Sequence, residues 1–329
     1  MSDSDDNNAR GGSRPHHPVG RSPGERLREL LGRPEPVQIM GVHDGLSARI
    51  AAAEGFEGLW ASGLCMSTAL GVRDSDEATW SQLLAVVESI TACTDLPVLV
   101  DGDAGYGNFN TARRFSMRAE RIGAAGICIE DKQFPKMNSF VGDRHELAPV
   151  GEFCGKIAAC KDAQQDPGFV VAARVESLIA GHSVEEALDR ADAYRSAGAD
   201  AIFIHSRQST VAEIAKFAAG WVGRAPLIIA PTTYYATSVD EFQELGISGV
   251  IWANQGLRAA MTAMQEAYAA IRRERGVAGI ESRIAPLKQI FSLLDYSELE
   301  EDHLLYAGAD GAGSMSTDEP NATQPASVS

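Results

Sequence analysis

Between residues 36 and 254 the chain alternates short, continuously apolar runs with longer stretches of helical periodicity. The apolar runs are PVQIMGV, FEGLWASG, PVLVDGD, AGICIED, FVVAARVES, ADAIFIHS, APLIIAPT and ISGVIWAN, eight in all. Runs of this kind, with little in-and-out alternation, predict strands buried on both faces. The intervening stretches include DEATWSQLLAVVESITACT, NTARRFSMRAERIGA, VEEALDRADAYRSAG and TVAEIAKFAAGW, and several reach a glycine just before the next strand. Glycine there suits the left-handed residue that ends a helix. Eight strand–helix units predict an α/β fold, a (β/α)8 TIM-type barrel with a parallel sheet. The runs span about 220 residues, in the range of a single barrel domain.

A barrel of this type carries its chemistry at the C-terminal ends of its strands. Polar side chains follow apolar ones at nearly every such end: Trp60 to Gly63, Asp101 to Asp103, Glu130 and Asp131, Arg174 to Glu176, His205 and Ser206, Pro231 and Thr232, and Asn254. A barrel with only a structural role does not need charge at so many strand ends, so the pattern points to an enzyme.

Asp101 and Asp103 are two positions apart, which on a strand places them on one face. Glu130 closes the next strand, and three hard oxygen donors without histidine or cysteine favour Mg²⁺, with Mn²⁺ as a substitute. The alternative for DGDAGYGN is a turn whose acids cap a helix. Arg174 offers a forked donor for a carboxylate or phosphate, or an ion pair to Glu176. His205, on the neighbouring strand, can donate to the same anion. Ser62, Gly63 and Leu64 read equally as an anion-binding backbone turn or a plain loop. Asp74 lies shortly before a helix, where Ser75 competes with it as the cap, and Asp44 or Ser47 is expected to cap the helix after the first strand.

Charge narrows the partners. The formal net charge is −16, which disfavours nucleic acid. Neither G-x-G-x-x-G after the first run nor G-x-x-x-x-G-K-[ST] occurs. The five cysteines have no C-x-x-C spacing and predict reduced thiols in a cytoplasmic protein. No apolar run reaches membrane-spanning length, and the N-terminal sequence has no apolar signal-peptide core. Residues 1–34 and 308–329, rich in Ser, Asp, Gly and Pro, are expected to be disordered tails around a catalytic domain at 35–307.

Taken together, HDGLSA, WASGL, GVRDSDEATW, LVDGDAGYGN, CIEDKQFPKMNSF, ARVESLIAG and ADAIFIHS resemble the phosphoenolpyruvate mutase family of the isocitrate lyase–PEP mutase superfamily. The resemblance runs from about residue 37 to about 305. It implies a barrel whose last helix is swapped between subunits of a homodimer or homotetramer. The implied reaction interconverts phosphoenolpyruvate and phosphonopyruvate, the carbon–phosphorus step of phosphonate biosynthesis. It also implies Asp101 as the direct Mg²⁺ ligand, with Asp103 and Glu130 acting through waters. Trp60, Ser62, Gly63 and Leu64 would hold the pyruvyl part, and Asn138, Ser139, Arg174 and His205 the rest of the substrate. Lys136, Asn138 and Asp74 would join Arg174 and His205 in catalysis, with FPKMNSF as a lid that keeps water from a metaphosphate-like state.

Met137 stands where the resemblance leads one to expect a small polar residue, and ANQGLRA departs from ANHLLRA. The stretch HSRQ at 205–208 is closer to phosphonopyruvate hydrolase, whereas Asn138 favours the mutase. A carbon–carbon lyase of the superfamily would carry a lid cysteine, and no cysteine lies between Cys128 and Cys154.

Overall fold

The computed structural model describes residues 20–142 and 146–306. Eight parallel strands close into a barrel in chain order: β1 (Val37–Val42), β2 (Gly58–Ala61), β3 (Val98–Asp101), β4 (Gly126–Glu130), β5 (Val170–Val175), β6 (Ala201–Ile204), β7 (Leu227–Ile229) and β8 (Gly249–Trp252). Each falls within one of the eight apolar runs. Closure is direct, with Val37 to Met40 of β1 paired to Gly249 to Trp252 of β8.

The helices are α1 (Pro23–Leu31), α2 (Gly45–Ala53), α3 (Gly63–Ala69), α4 (Trp80–Thr91), α5 (Phe109–Arg121), α6 (Val150–Ala163), α7 (Val184–Ser196), α8 (Ala212–Trp221), α9 (Val239–Glu244), α10 (Gln255–Glu274), α11 (Leu287–Leu293) and α12 (Tyr296–Tyr306). Side-chain caps start most of the barrel helices. Asp44 and Ser47 form a capping box on α2, so both acids and hydroxyls weighed for that role take part. Gly123, Gly198 and Gly246 follow α5, α7 and α9 with positive φ, the helix endings expected from sequence.

Two apolar layers result. One lies between strands and helices and includes Val100, Phe115, Ile129, Phe153, Tyr194 and Phe217. The other fills the barrel, with Ile39, Trp60, Leu99, Cys128, Phe203 and Ile251, and it also contains Leu27, Leu30 and Leu31 of α1. The expectation of a disordered tail through residue 34 is therefore corrected for its last part. Ser22 and Glu25 form a capping box that starts α1, and Arg28 donates to the Gly168 and Phe169 carbonyls and pairs with Asp200 at 2.7 Å. These partners lie at strand N-termini, so α1 plugs the end of the barrel away from the site. The tails at 1–19 and 308–329 fall outside the described residues.

The chain divides at Ala263/Met264 into two compact units, where a single domain at 35–307 was expected. The first holds the barrel. In the second, Leu287, Leu294, Leu299, Leu304 and Leu305 are exposed, and few side chains are buried. Among the described residues, no helix is long and apolar enough to cross a membrane.

Candidate active site

The polar strand ends converge. Trp60, Ser62, Leu64, Asp74, Asp101, Glu130, Lys136, Asn138, Ser139, Arg174 and His205 line one cavity of about 60 Å³ at the C-terminal rim of the barrel. Every expected site side chain but two faces it directly. Asp103 lies behind Lys136, and Gly63 contributes backbone.

Ser62 is the N-cap of α3, its Oγ accepting from the Cys65 N–H at 3.3 Å. The segment read as a turn is thus the start of a short helix. The Gly63 N–H donates to Asp101 Oδ2 at 3.1 Å. A Cβ at Gly63 would stand 2.9 Å from that oxygen and 3.1 Å from Asp103 Oδ1, so a larger residue would push on the two carboxylates.

Asp101 and Asp103 do meet, for a different reason than strand alternation. β3 ends at Asp101, and Asp103 lies beyond it with φ 47°. The chain turns there, the Asp103 N–H pointing back to Asp101 Oδ1 at 3.3 Å. Glu130, lining the same cavity as Asp101, lies 3.4 Å from Arg174 and 3.7 Å from Lys132. Among the described residues, no three His, Cys, Asp or Glu side chains converge as a ready metal-binding set. Lys136 supplies positive charge there instead, its Nζ 2.5 Å from Asp103 Oδ1.

The donor chemistry still fits a hard divalent cation. Glu130 Oε1 is buried without a hydrogen bond. Burial pushes the Asp101 carboxyl above its ordinary range, and pushes Asp103 up to about 8 against the opposing charge of Lys136. Buried carboxylates of this kind are stabilised by a cation at the site. A single direct ligand, with the other acids acting through water, needs no convergence of three carboxylates.

Asp74 does not cap α4; Thr79 does, in a capping box with Gln82. Its carboxylate instead takes both loop residues, Lys136 Nζ at 2.7 Å and Asn138 Nδ2 at 2.6 Å. Burial alone would raise the Asp74 pKa, and these two partners, Lys136 foremost, more than reverse it. The Lys136 N–H also donates to Asp76 Oδ2 at 2.5 Å. Phe140 closes over the site edge-on to the His205 ring, with centroids 5.4 Å apart. Lys136, Asn138, Ser139 and Phe140 of the 134–142 loop thus border the cavity.

Arg174 and Glu176 form the ion pair weighed from sequence, at 2.6 Å. Arg174 Nη2 also reaches Ser139 Oγ at 3.0 Å and His205 Nδ1 at 2.8 Å, so pairing does not remove it from the cavity. The guanidinium lies over the Phe203 ring, 5.0 Å from its centroid. Burial pushes the Glu176 carboxyl up, but Arg174, His205 and Lys132 hold it well below the usual range. Burial and Arg174 lower His205, leaving a neutral ring able to donate one hydrogen bond.

Ser139, expected to hold substrate, lines the cavity and is tied to its neighbours. Its hydroxyl donates to Glu176 Oε2 at 2.7 Å and accepts from Lys132 at 2.5 Å and Arg174 at 3.0 Å, which uses its bonding capacity. Sequence reasoning missed Lys132. The available signal was its place two residues beyond Glu130, where a strand continued would return it to the same face.

With this geometry in view, the likeness to known proteins is specific. The family described as phosphoenolpyruvate phosphomutase matches residues 27–272. A phosphoenolpyruvate phosphomutase of Streptomyces hygroscopicus is 65% identical over 290 residues, covering 88% of this chain and 93% of that protein. The crystal structure of a phosphoenolpyruvate phosphomutase from Streptomyces platensis subsp. rosaceus superposes with a TM-score of 0.85 at 42% identity, covering 87% of this chain and 99% of the other. A phosphonopyruvate hydrolase in complex with oxalate and Mg²⁺ has a TM-score of 0.83 at 36% identity, covering 88% of this chain and all of the other. Matching most of its length to this family, the chain belongs to the phosphoenolpyruvate phosphomutase family.

Proposed function

We propose that this chain is a Mg²⁺-dependent isomerase that interconverts phosphoenolpyruvate and phosphonopyruvate. In the C–P-forming direction the bond between phosphorus and the enol oxygen breaks, phosphorus bonds to C3, and the enolate becomes a ketone. No atom is gained or lost, so the site must hold both fragments and exclude water. The observation that carries the reading is that the loop bearing Lys136, Asn138 and Phe140 helps wall the same cavity as Arg174, His205 and the strand-end acids.

Asp101, with Asp103 and Glu130 behind it, is assigned to hold Mg²⁺, which when bound supplies charge that stabilises the pyruvate enolate. Ser62, Gly63 and Leu64 orient the pyruvyl end, with Trp60 beneath it. Arg174 and His205 donate to the phosphoryl oxygens. Asn138 exchanges its Asp74 bond for the phosphoryl group as substrate enters, and Lys136 keeps the loop down through Asp74. Asn138 is a neutral donor and offers water no base. The loop residues described carry no cysteine, which leaves the carbon–carbon lyase reading without its lid thiol.

The exposed leucines of α11 and α12 support assembly into a homodimer or homotetramer through the last helices. The five cysteines are free, which suits a reducing cytoplasm. As the step that makes a C–P bond, the reaction would open phosphonate biosynthesis. Incubation with phosphonopyruvate and Mg²⁺, followed by ³¹P NMR, tests the proposal. Phosphoenolpyruvate is the expected product, inorganic phosphate would make the protein a hydrolase, and no change would rule out both.

A further inference from the structure

We infer that Lys132 is a positioning residue that latches the loop at 134–142 to the barrel, and that Glu176 relays the latch to Arg174 and His205. The inference deepens the reading above and rests on it for its catalytic consequence, though not for the latch itself.

The ammonium of Lys132 is almost wholly buried and has four polar partners. Two belong to the loop, the Met137 carbonyl at 3.0 Å and Ser139 Oγ at 2.5 Å. The other two belong to the barrel, Glu176 Oε2 at 3.0 Å and Glu130 Oε1 at 3.7 Å. A lysine needed only for the stability of the barrel would have its partners there; this one donates hydrogen bonds to two loop residues. Lys132 is itself fixed at the loop's neck, where it bridges to Leu147 and where the Gln133 N–H donates to the Glu146 carbonyl at 3.0 Å.

Glu176 completes the connection. Its Oε2 faces the latch, taking Lys132 and the Ser139 hydroxyl, the latter at 2.7 Å. Its Oε1 faces the substrate side, accepting from Arg174 Nε at 2.6 Å and lying 2.8 Å from His205 Nδ1. The carboxylate is fully buried, with no water-exposed alternative for either oxygen. If the loop lifts, Lys132 loses two acceptors and Glu176 loses one donor inside a dry site. Buried polar groups stripped of partners are costly, so the closed loop and the aligned Arg174–His205 pair favour each other. The loop's closure and the orientation of the two phosphoryl-facing donors thereby become one event.

Lys132→Met tests this, because it keeps the stem and removes the ammonium. In the full-length protein without substrate, hydrogen–deuterium exchange of residues 134–142 should quicken by about tenfold, the effect of losing roughly one charge-assisted hydrogen bond from the closed state. Strand amides at 98–101 and 170–175 should exchange as in the wild type. With phosphonopyruvate and Mg²⁺, kcat should fall more than KM changes. Unchanged loop exchange overturns the latch, as does quickening spread equally over the strands. Faster loop exchange with unchanged kcat overturns the relay through Glu176. If Lys132→Met does not fold, Ser139→Ala, which deletes the loop hydroxyl shared by Lys132 and Glu176, is read by the same exchange. A wild-type protein inactive on phosphonopyruvate would defeat the functional reading and leave the exchange result standing as the judgement on the latch.

Discussion

The Asn138 side-chain amide donates to Asp74 at 2.6 Å, across 64 positions of sequence, and so ties the loop to the segment before α4. Lys136 uses the other oxygen of the same carboxylate. Asp74 is therefore the point on which both loop side chains close. Asp74→Ala and Asn138→Ala should each slow the reaction, and the double variant should lose less than the sum of the two. Residues sharing one network couple by about 0.5–3 kcal/mol. A cycle of kcat values that adds within error would mean the contact has no part in turnover.

Asn138→Ala by itself should lose about 2–4 kcal/mol of barrier lowering, by comparison with donors to an oxyanion. That is roughly 30- to 1000-fold in rate. Because Asn138 lies on a rim loop, the melting temperature should hardly move. Both phosphoenolpyruvate and free phosphate should be measured from phosphonopyruvate, since a poorly closed cage admits water. An unaltered rate of transfer would remove Asn138 from the site.

Asp101→Ala should abolish activity at ordinary Mg²⁺. Calorimetric titration should show Mg²⁺ binding lost, with the barrel retained because the backbone pairing of β3 to β2 and β4 does not use the Asp101 side chain. Turnover near the wild-type level would show that the cation, if one is needed, is held elsewhere.

The helix at the other end of the barrel makes a stability prediction. Leu27 is 1% exposed and packs with the barrel interior. Leu27→Ala should cost about 2–5 kcal/mol, the usual range for a buried leucine truncated to alanine. Chemical denaturation measures it. Deleting residues 1–34 should destabilise the protein further, because it also removes Leu30, Leu31 and Arg28. A deletion variant as stable as the parent would show that α1 is not part of the folded barrel.

His205 gives a pH dependence whose sign follows from its surroundings. Burial, with Arg174 beside it, lowers its folded pKa below the unfolded value of about 6.5. Between those two values the unfolded chain binds a proton that the native state refuses. Stability from this group is thus complete above about pH 6.5 and declines as pH falls toward the folded pKa. Denaturation midpoints of the wild type and His205→Gln, compared from pH 7.5 downward, should show a shallower decline in the variant. Parallel declines would assign the acid sensitivity to other groups.

The barrel was legible in the chain's local pattern. Continuous apolar runs and amphipathic intervals are local properties, and the only compact arrangement that buries eight such strands on both faces is parallel and covered by helices. That pattern determined the site's location for the same reason, since strand direction sends every C-terminal end to one rim. A residue's place at a strand end, as for Asp101, Arg174 and His205, was therefore legible, and the combined motifs carried the likeness to the family. Partnership was not. Asp74 and Asn138 are far apart in the chain, and nothing local says that one accepts from the other. Asp103 joins Asp101 through a turn with positive φ that strand alternation does not describe, and Ser62 begins a helix because its hydroxyl finds the Cys65 N–H. Composition also misjudged residues 23–31: the segment beside a polar tail becomes a helix because the open end of the barrel offers its leucines a place to be buried. Lys132 passed unnoticed because a lysine is ordinarily a surface residue; only the folded loop brings the acceptors that make its burial tolerable. Those decisions belong to contacts between distant segments, whose energies exist only once the barrel has closed.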